Sequence, residues 1–142
     1  VLIYGFDGEI ALWTARQLGV EGFGPCSAIG VARNGEIVAG VVFHRYSGGD
    51  IEVSMAATSP RWATRQTFAR IFAYPFIQLG VRRITATTKS GNQPVRAFLE
   101  YLGFRLEGTL RRFHEDDDAA VYGLLKEECR WLRFLEECPD NR

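Results

Sequence analysis

"NQPVRAFLEYLGFRLEGTLRR", Asn92 to Arg112, reads as a capped helix running into a strand. Asn92 is a good N-cap, because its side-chain oxygen can accept a hydrogen bond from a first-turn N–H. Pro94 falls in that first turn, where its missing N–H breaks no intrahelical bond. Val95, Phe98, Leu99 and Leu102 recur every three or four residues and form one apolar stripe. Gly103 ends the helix. "FRLEGTLRRF" then has a strand pattern, and "AAVYGLLK" gives a second strand beyond the polar turn "HEDDD". A helix with one apolar face that feeds a hairpin must bury that face, and a sheet is its natural partner.

Upstream, "VRRITATT" is a further strand, preceded by a helical pattern from about Trp62 to Leu79. There Phe68, Ile71, Phe72, Phe76 and Leu79 share one face, Pro75 is expected to kink or open the helix, and Gly80 ends it. "IEVSMAAT" is a core strand, and its connection through that helix to "VRRITATT" has the length of a βαβ crossover. "CSAIGVAR" and "EIVAGVVFHRY" flank Asn34-Gly35, a dipeptide that favours a tight hairpin turn. At the start, Asp7 is expected to cap a helix through about Leu18, and at the end a helix is expected from about Lys126 to Glu137, followed by a frayed "PDNR". The predicted order is α, β-hairpin, β, α, β, α, β-hairpin, α, an α/β fold with one mixed sheet and helices on its faces.

The chain has 142 residues, 46% of them hydrophobic, with 17 basic and 17 acidic side chains. This fits a single domain spanning 1–142, with no repeat or linker. Zero formal charge argues against a dedicated nucleic-acid binder, although Arg61, Arg65, Arg82 and Arg83 leave a basic module as a minor reading. The three cysteines, Cys26, Cys129 and Cys138, form no CxxC pair, so structural zinc and a disulfide framework are not expected. Idle thiols fit a reducing cytoplasm. "VLIYGF" has no basic flank and does not read as a signal peptide, and no window reaches the roughly 18 to 20 apolar residues of a membrane span. "HEDDD" is read as a solvated turn and not a metal site.

Between the third core strand and the helix lies "SPRWATRQTFAR", Ser59 to Arg70. A helix N-terminus after a strand attracts anions through its unpaired N–H groups and dipole. Arg61 and Arg65 strengthen an anion reading; the absence of glycine and the presence of Trp62 weaken it.

The run from Asn92 to Arg112, with "FIQLGVRRITATTKSGN" ahead of it, resembles the GNAT superfamily of N-acetyltransferases. The pattern is an asparagine-capped helix, then Leu-Gly-Phe, then a strand with Glu-Gly. "LGFRLEGTLR" is most similar to the branch that acetylates protein N-termini, such as the ribosomal-protein alanine acetyltransferases. The resemblance covers about Ala28 to Arg130. It implies a mostly antiparallel sheet with one splayed parallel strand pair, here "IEVSMAAT" and "RRITATT". It implies acetyl-CoA as cofactor, with its pantetheine arm beside the backbone of Met55, Ala56 and Ala57. The pyrophosphate would lie on the turn of Arg61, Trp62, Ala63, Thr64 and Arg65, and Asn92 would contact the arm. Without gaps, the family's turn glycines fall on Pro60, Trp62 and Thr64, so this turn departs from the pattern.

The resemblance implies direct attack of an amine on the thioester, with no role for the cysteines and with an oxyanion held by an N–H near Met55 to Ala57. Glu52 is the candidate base and His44 the reserve. The tyrosine that protonates the thiolate in many relatives is replaced by Leu99, and the serine common in the N-terminal branch by Val95. Tyr101 should point to another helix face. A thiol with a pKa of about 8.5 can leave unassisted. The acceptor is a small amine or a protein N-terminus, in a region that would draw on Trp13, Phe23, Phe113 and His114. An α-amine, with a pKa of about 8 against about 10.4 for lysine, suits a weak base better. The alternative is a non-catalytic CoA-binding or protein-interaction module of the same fold. The last helix would cover the sheet or form a homodimer contact.

Overall fold

The computed structural model describes residues 1–137. The chain runs β1 (Leu2–Ile3), α1 (Asp7–Leu18), β2 (Cys26–Arg33), β3 (Glu36–His44), β4 (Asp50–Ala57), α2 (Arg65–Ala73), β5 (Arg83–Lys89), α3 (Gln93–Leu102), β6 (Arg105–Leu110) and β7 (Ala119–Leu125). The strands form one seven-stranded sheet in the order β1-β2-β3-β4-β5-β7-β6. Every neighbouring pair is antiparallel except β4 and β5, which α2 joins as a parallel pair.

Alternation along the central strands sends one set of side chains to each face of the sheet. On one face Val41 and Phe43 of β3, Ile51 and Val53 of β4, Ile84 of β5 and Tyr122 of β7 meet Phe68, Ile71 and Phe72 of α2 and Leu99 and Leu102 of α3. On the other face Val42 and Ala28 meet Ile10 of α1. The helices therefore lie on both faces, as the pattern predicts. The β2–β3 turn has Asn34 at φ 53° and Gly35 at φ 78°, left-handed positions that only these residue types occupy at low cost.

Four expectations need correction. Leu2 and Ile3 pair with Val31 and Gly30 as an added edge strand. Asp7 does not cap α1: Phe6 holds the N-cap position, and Asp7 Oδ1 instead accepts a hydrogen bond from the Ala28 N–H at 3.0 Å, tying α1 to β2. The helix expected through Leu79 is α-helical only to Ala73. Tyr74–Gln78 then form a π turn, closed by Leu79 N–H donating to the Tyr74 carbonyl at 3.0 Å. Pro75 offers no N–H to the α ladder, so the wider turn accommodates it. The final helix is two 3-10 segments, Lys126–Glu128 and Arg130–Glu137, separated at Cys129 by extended backbone. Its course follows Trp131, whose indole N–H donates to the Leu102 carbonyl at 2.8 Å, a tertiary tie that overrides local helix preference. Cys138 and "PDNR" lie outside the described residues. None of the described helices is long and apolar enough to cross a membrane.

Candidate active site

The parallel pair is short. Asp50, Ile51 and Glu52 pair with Arg83, Ile84 and Thr85, and the ladder goes no further. Polar side chains pin the closed end. Thr85 Oγ1 donates to Asp50 Oδ1 at 2.7 Å, and the Arg83 guanidinium bridges Asp50 and Glu107 at 3.3 and 2.7 Å. Beyond it the strands part, leaving a cleft of about 470 Å³. Val53, Ser54, Met55, Ala56 and Ala57 form one wall, and Ala86, Thr87 and Thr88 the other. A strand directs alternate backbone groups to each side, and β3 takes only one side of β4. The other side looks into the cleft, where an extended ligand could pair with it as an added strand.

The start of α3 closes the cleft with Asn92, Val95, Phe98 and Leu99, Trp62 adds an aromatic wall, and Gln17 and Leu18 approach from the end of α1. Asn92 Oδ1 accepts from the Val95 N–H at 3.3 Å, so Asn92 is both helix cap and cleft residue. Phe98 likewise serves twice, packing on the core and facing the cleft. Leu99 and Val95 present only hydrocarbon there. Tyr101 is exposed and stacks on Trp131, away from the cleft.

The turn after β4 is folded on itself. Ser59 Oγ accepts from the Arg61 N–H, Ala63 N–H donates to the Pro60 carbonyl, and Thr64 N–H donates to the Trp62 carbonyl. Thr64 Oγ1 caps α2 by accepting from the Thr67 N–H at 3.1 Å. The N–H groups of Arg61, Ala63, Thr64 and Thr67 are thus engaged within the turn and the first turn of α2. Trp62 is the anchor, 5% exposed and edge-on to Phe68. Arg61 is exposed, and its carbonyl accepts from the Arg33 guanidinium at 2.6 Å. The Arg65 guanidinium lies 5.0 Å from the Phe134 ring centre. Trp62 is the one residue of the Arg61–Arg65 turn that lines the cleft; Arg61, Ala63, Thr64 and Arg65 do not.

Glu52 does not line the cleft either. It lies on the α1 face of β4, directly across the ladder from His44. Its Oε2 is 3.9 Å from His44 Nδ1, and its Oε1 is 3.7 Å from Arg45. Burial pushes the Glu52 carboxyl above its ordinary range; Arg45 opposes this and Asp50 adds to it. Burial also pushes the His44 imidazole below its ordinary range, and Arg45 adds to that. His44 Nε2 is 2.9 Å from Ser54 Oγ, and Ser54 does line the cleft. Sequence reasoning missed Ser54. The available signal was its spacing of two from Glu52, which puts both on one face of the strand.

Of the residues expected around the acceptor, Phe23 packs on His44 with ring centres 5.2 Å apart, while Phe113 and His114 meet edge to face at the β6–β7 turn. Trp13 packs near Gly40 on β3. The acids of "HEDDD" hold that turn in shape: Asp116 pairs with Lys89, Asp117 accepts from the Gly91 N–H, and Asp118 accepts from the Arg112 N–H. The turn is therefore more ordered than a plain solvated charge run. Burial pushes the Cys129 thiol up to about 11, which leaves it inert.

No protein-family profile and no curated protein matches this sequence. Solved structures do. A GCN5-related N-acetyltransferase from Brucella melitensis is 23% identical with a TM-score of 0.65, over 82% of this chain and 59% of that one. RimJ from Mycobacterium smegmatis, in complex with CoA-disulfide, is 20% identical with a TM-score of 0.69, over 96% and 88%. A chimera of the spermidine N-acetyltransferase SpeG from Vibrio cholerae with hSSAT is 13% identical with a TM-score of 0.72, over 93% and 99%. The chain therefore spans less than two thirds of the Brucella protein and nearly all of the chimera. At these identities the likeness establishes the fold, that of the GCN5-related N-acetyltransferases.

Proposed function

We propose that the protein is an acetyl-CoA-dependent N-acetyltransferase acting on a primary amine by direct attack. The observation that carries this is the cleft between the parting ends of β4 and β5, walled by β4 backbone and closed by the capped start of α3. Its dimensions and lining fit a thin chain bearing amide groups. Met55, Ala56 and Ala57 would pair with the pantetheine arm, and Asn92 would meet it from α3. Arg61 and Arg65, outside the cleft at the start of α2, would meet the pyrophosphate through their guanidinium groups, since the N–H groups of Arg61, Ala63 and Thr64 are engaged within the turn. Acetyl-CoA supplies an activated acyl group with a thiolate that can leave unassisted. Backbone N–H groups of β4 would stabilise negative charge on the acyl oxygen, and Glu52, behind His44 and off the cleft, would favour proton loss from the amine only through its neighbours.

An α-amine, as at a protein N-terminus, is the acceptor we favour. The sequence from Leu102 to Arg111 resembles that branch, and an amine of pKa about 8 asks less of a weak base than a lysine at about 10.4. The internally bonded turn, with Leu99 and Val95 facing the cleft, favours a second reading: a module that binds CoA without turning it over.

The test is a thermal midpoint measured across an acetyl-CoA titration, followed by thiol release with an N-terminal peptide and a polyamine. Ligand at a hundredfold excess over its Kd should add about 2.7 kcal/mol of stability. Arg61→Ala/Arg65→Ala should lose most of the shift. No shift at millimolar ligand defeats both readings. A shift without thiol release leaves the binding module.

A further inference from the structure

Ser54, His44 and Glu52 stand in a row that runs from the cleft wall along the α1 face of the sheet. Ser54 lines the cleft, its Oγ is 2.9 Å from His44 Nε2, and Glu52 Oε2 is 3.9 Å from His44 Nδ1. The β3–β4 register fixes this order. His44 is opposite Glu52, and Ser54 is two residues along β4 on the same face, so the imidazole spans the diagonal between them. Phe23 packs against the ring and limits its rotation. Glu52, the carboxylate a sequence reading selects, does not line the cleft, whereas Ser54 does.

We propose that Ser54 is a catalytic residue and that, with His44, it forms the path by which the attacking amine loses its proton; this rests on the acetyltransferase reading. As the C–N bond forms and the C–S bond breaks, the amine proton passes to Ser54 Oγ while Ser54 hands its own proton to His44 Nε2. The thiolate departs, and the imidazolium returns its proton to solvent. Ser54 ends as it began, so no acyl-enzyme forms. Glu52 is a positioning residue. Its negative charge beside Nδ1 favours the tautomer that carries hydrogen there, leaving the Nε2 lone pair for Ser54, and it steadies the transient imidazolium.

Burial lowers the proton affinity of His44, which keeps the ring neutral and ready to accept near pH 7. Its charged and titratable surroundings come from β4, β2 and the residue that follows it in the chain. Glu52 faces it from β4 with Asp50 further along, Cys26 is its rung partner on β2, and Arg45 is next to it in sequence. From α1, Asp7 acts on Cys26, whose thiol burial pushes up and out of the way.

The chain has two histidines, so His44→Gln assigns the imidazole signals in a nitrogen-15 spectrum by subtraction. The path predicts hydrogen on Nδ1 and a bare Nε2 in the parent at pH 7, with the Nε2 signal moving in Ser54→Ala. It also predicts that thiol release has an acid limb set by the titration seen for His44. Ser54→Ala should lower the rate about a hundredfold and erase that limb, while the acetyl-CoA-induced thermal shift is kept. Ser54→Thr, which keeps a hydroxyl, should restore the limb, and Glu52→Gln should move the His44 titration. An unchanged rate and limb in Ser54→Ala, with an active parent, overturns the path alone. Thiol release that no amine elicits from the parent overturns the acetyltransferase reading and the path with it. A His44 spectrum indifferent to Ser54→Ala removes the hydrogen bond on which the path is built.

Discussion

Gly40, in the middle of β3, sets how closely α1 can approach the sheet. A Cβ there would lie 2.0 Å from Thr14 Oγ1 and 3.3 Å from the Trp13 ring. Thr14 is fully buried, and its hydroxyl is held by a 2.8 Å bond to the Ile10 carbonyl, so it cannot swing aside without losing that bond. Gly40→Ala should therefore destabilise the fold by about 1–3 kcal/mol, the usual cost of overpacking. Urea unfolding of Gly40→Ala, Thr14→Ala and the double variant checks the cause. If the contact is responsible, the double variant loses less than the sum of the singles. Strict additivity would place the strain elsewhere. Because Gln17 and Leu18 at the end of α1 line the cleft, the same substitution should also weaken the acetyl-CoA-induced thermal shift.

At the scale of elements, the C-terminal segment shows where local pattern stops deciding structure. Its side chains wrap α2 and the end of α3. Trp131 is 4% exposed and packs 4.8 Å from Phe68 between ring centres, and Arg130 lies 4.3 Å over its ring. The Leu102 carbonyl, in the last turn of α3, has no helical donor and takes the indole N–H instead. Trp131→Phe should cost about 1–3 kcal/mol, as the carbonyl is left unsatisfied, and Trp131→Ala about 3–5 kcal/mol, as a cavity is added. Equal losses in urea melts would mean the bond contributes nothing. The elements that sequence reads well carry their own instructions: the cap and stripe of α3, the Asn34-Gly35 turn, the alternation of β4. The two-residue β1 has too little sequence for a pattern, Asp7 serves β2 instead of its own helix, and the Trp131 tie joins residues 29 positions apart. The cleft residues Met55, Ala56, Ala57 and Asn92 were legible because a strand–helix framework and a motif locate them. For Ser54 the spacing of two from Glu52 shows only a shared face; its partner His44 is set by strand register, which one strand read alone does not reveal.

For the whole molecule, the His44–Glu52 pair links stability to pH through two opposed effects. The folded-state proton affinity of His44 is below its ordinary value of 6.5, so the native state resists protonation and loses stability as pH falls through 6.5 toward the folded pKa. The folded pKa of Glu52 is above its ordinary 4.5, so its buried charge costs stability above that raised pKa. The cost is relieved as pH falls through the raised pKa toward 4.5. Removing the charge should therefore help most where the charge is present. Glu52→Gln should melt above the parent at pH 7 to 8, with an advantage that shrinks as pH falls and is gone by about 4.5. His44→Gln should instead flatten the decline below 6.5. Thermal midpoints of the three proteins across that range decide the matter. A Glu52→Gln protein that melts below the parent at pH 8 would mean that attraction to Arg45, 3.7 Å away, outweighs the cost of burial. The predicted sign instead makes Glu52 a residue kept at the expense of stability. That is expected of a charge that serves its neighbour in a proton path and not the fold.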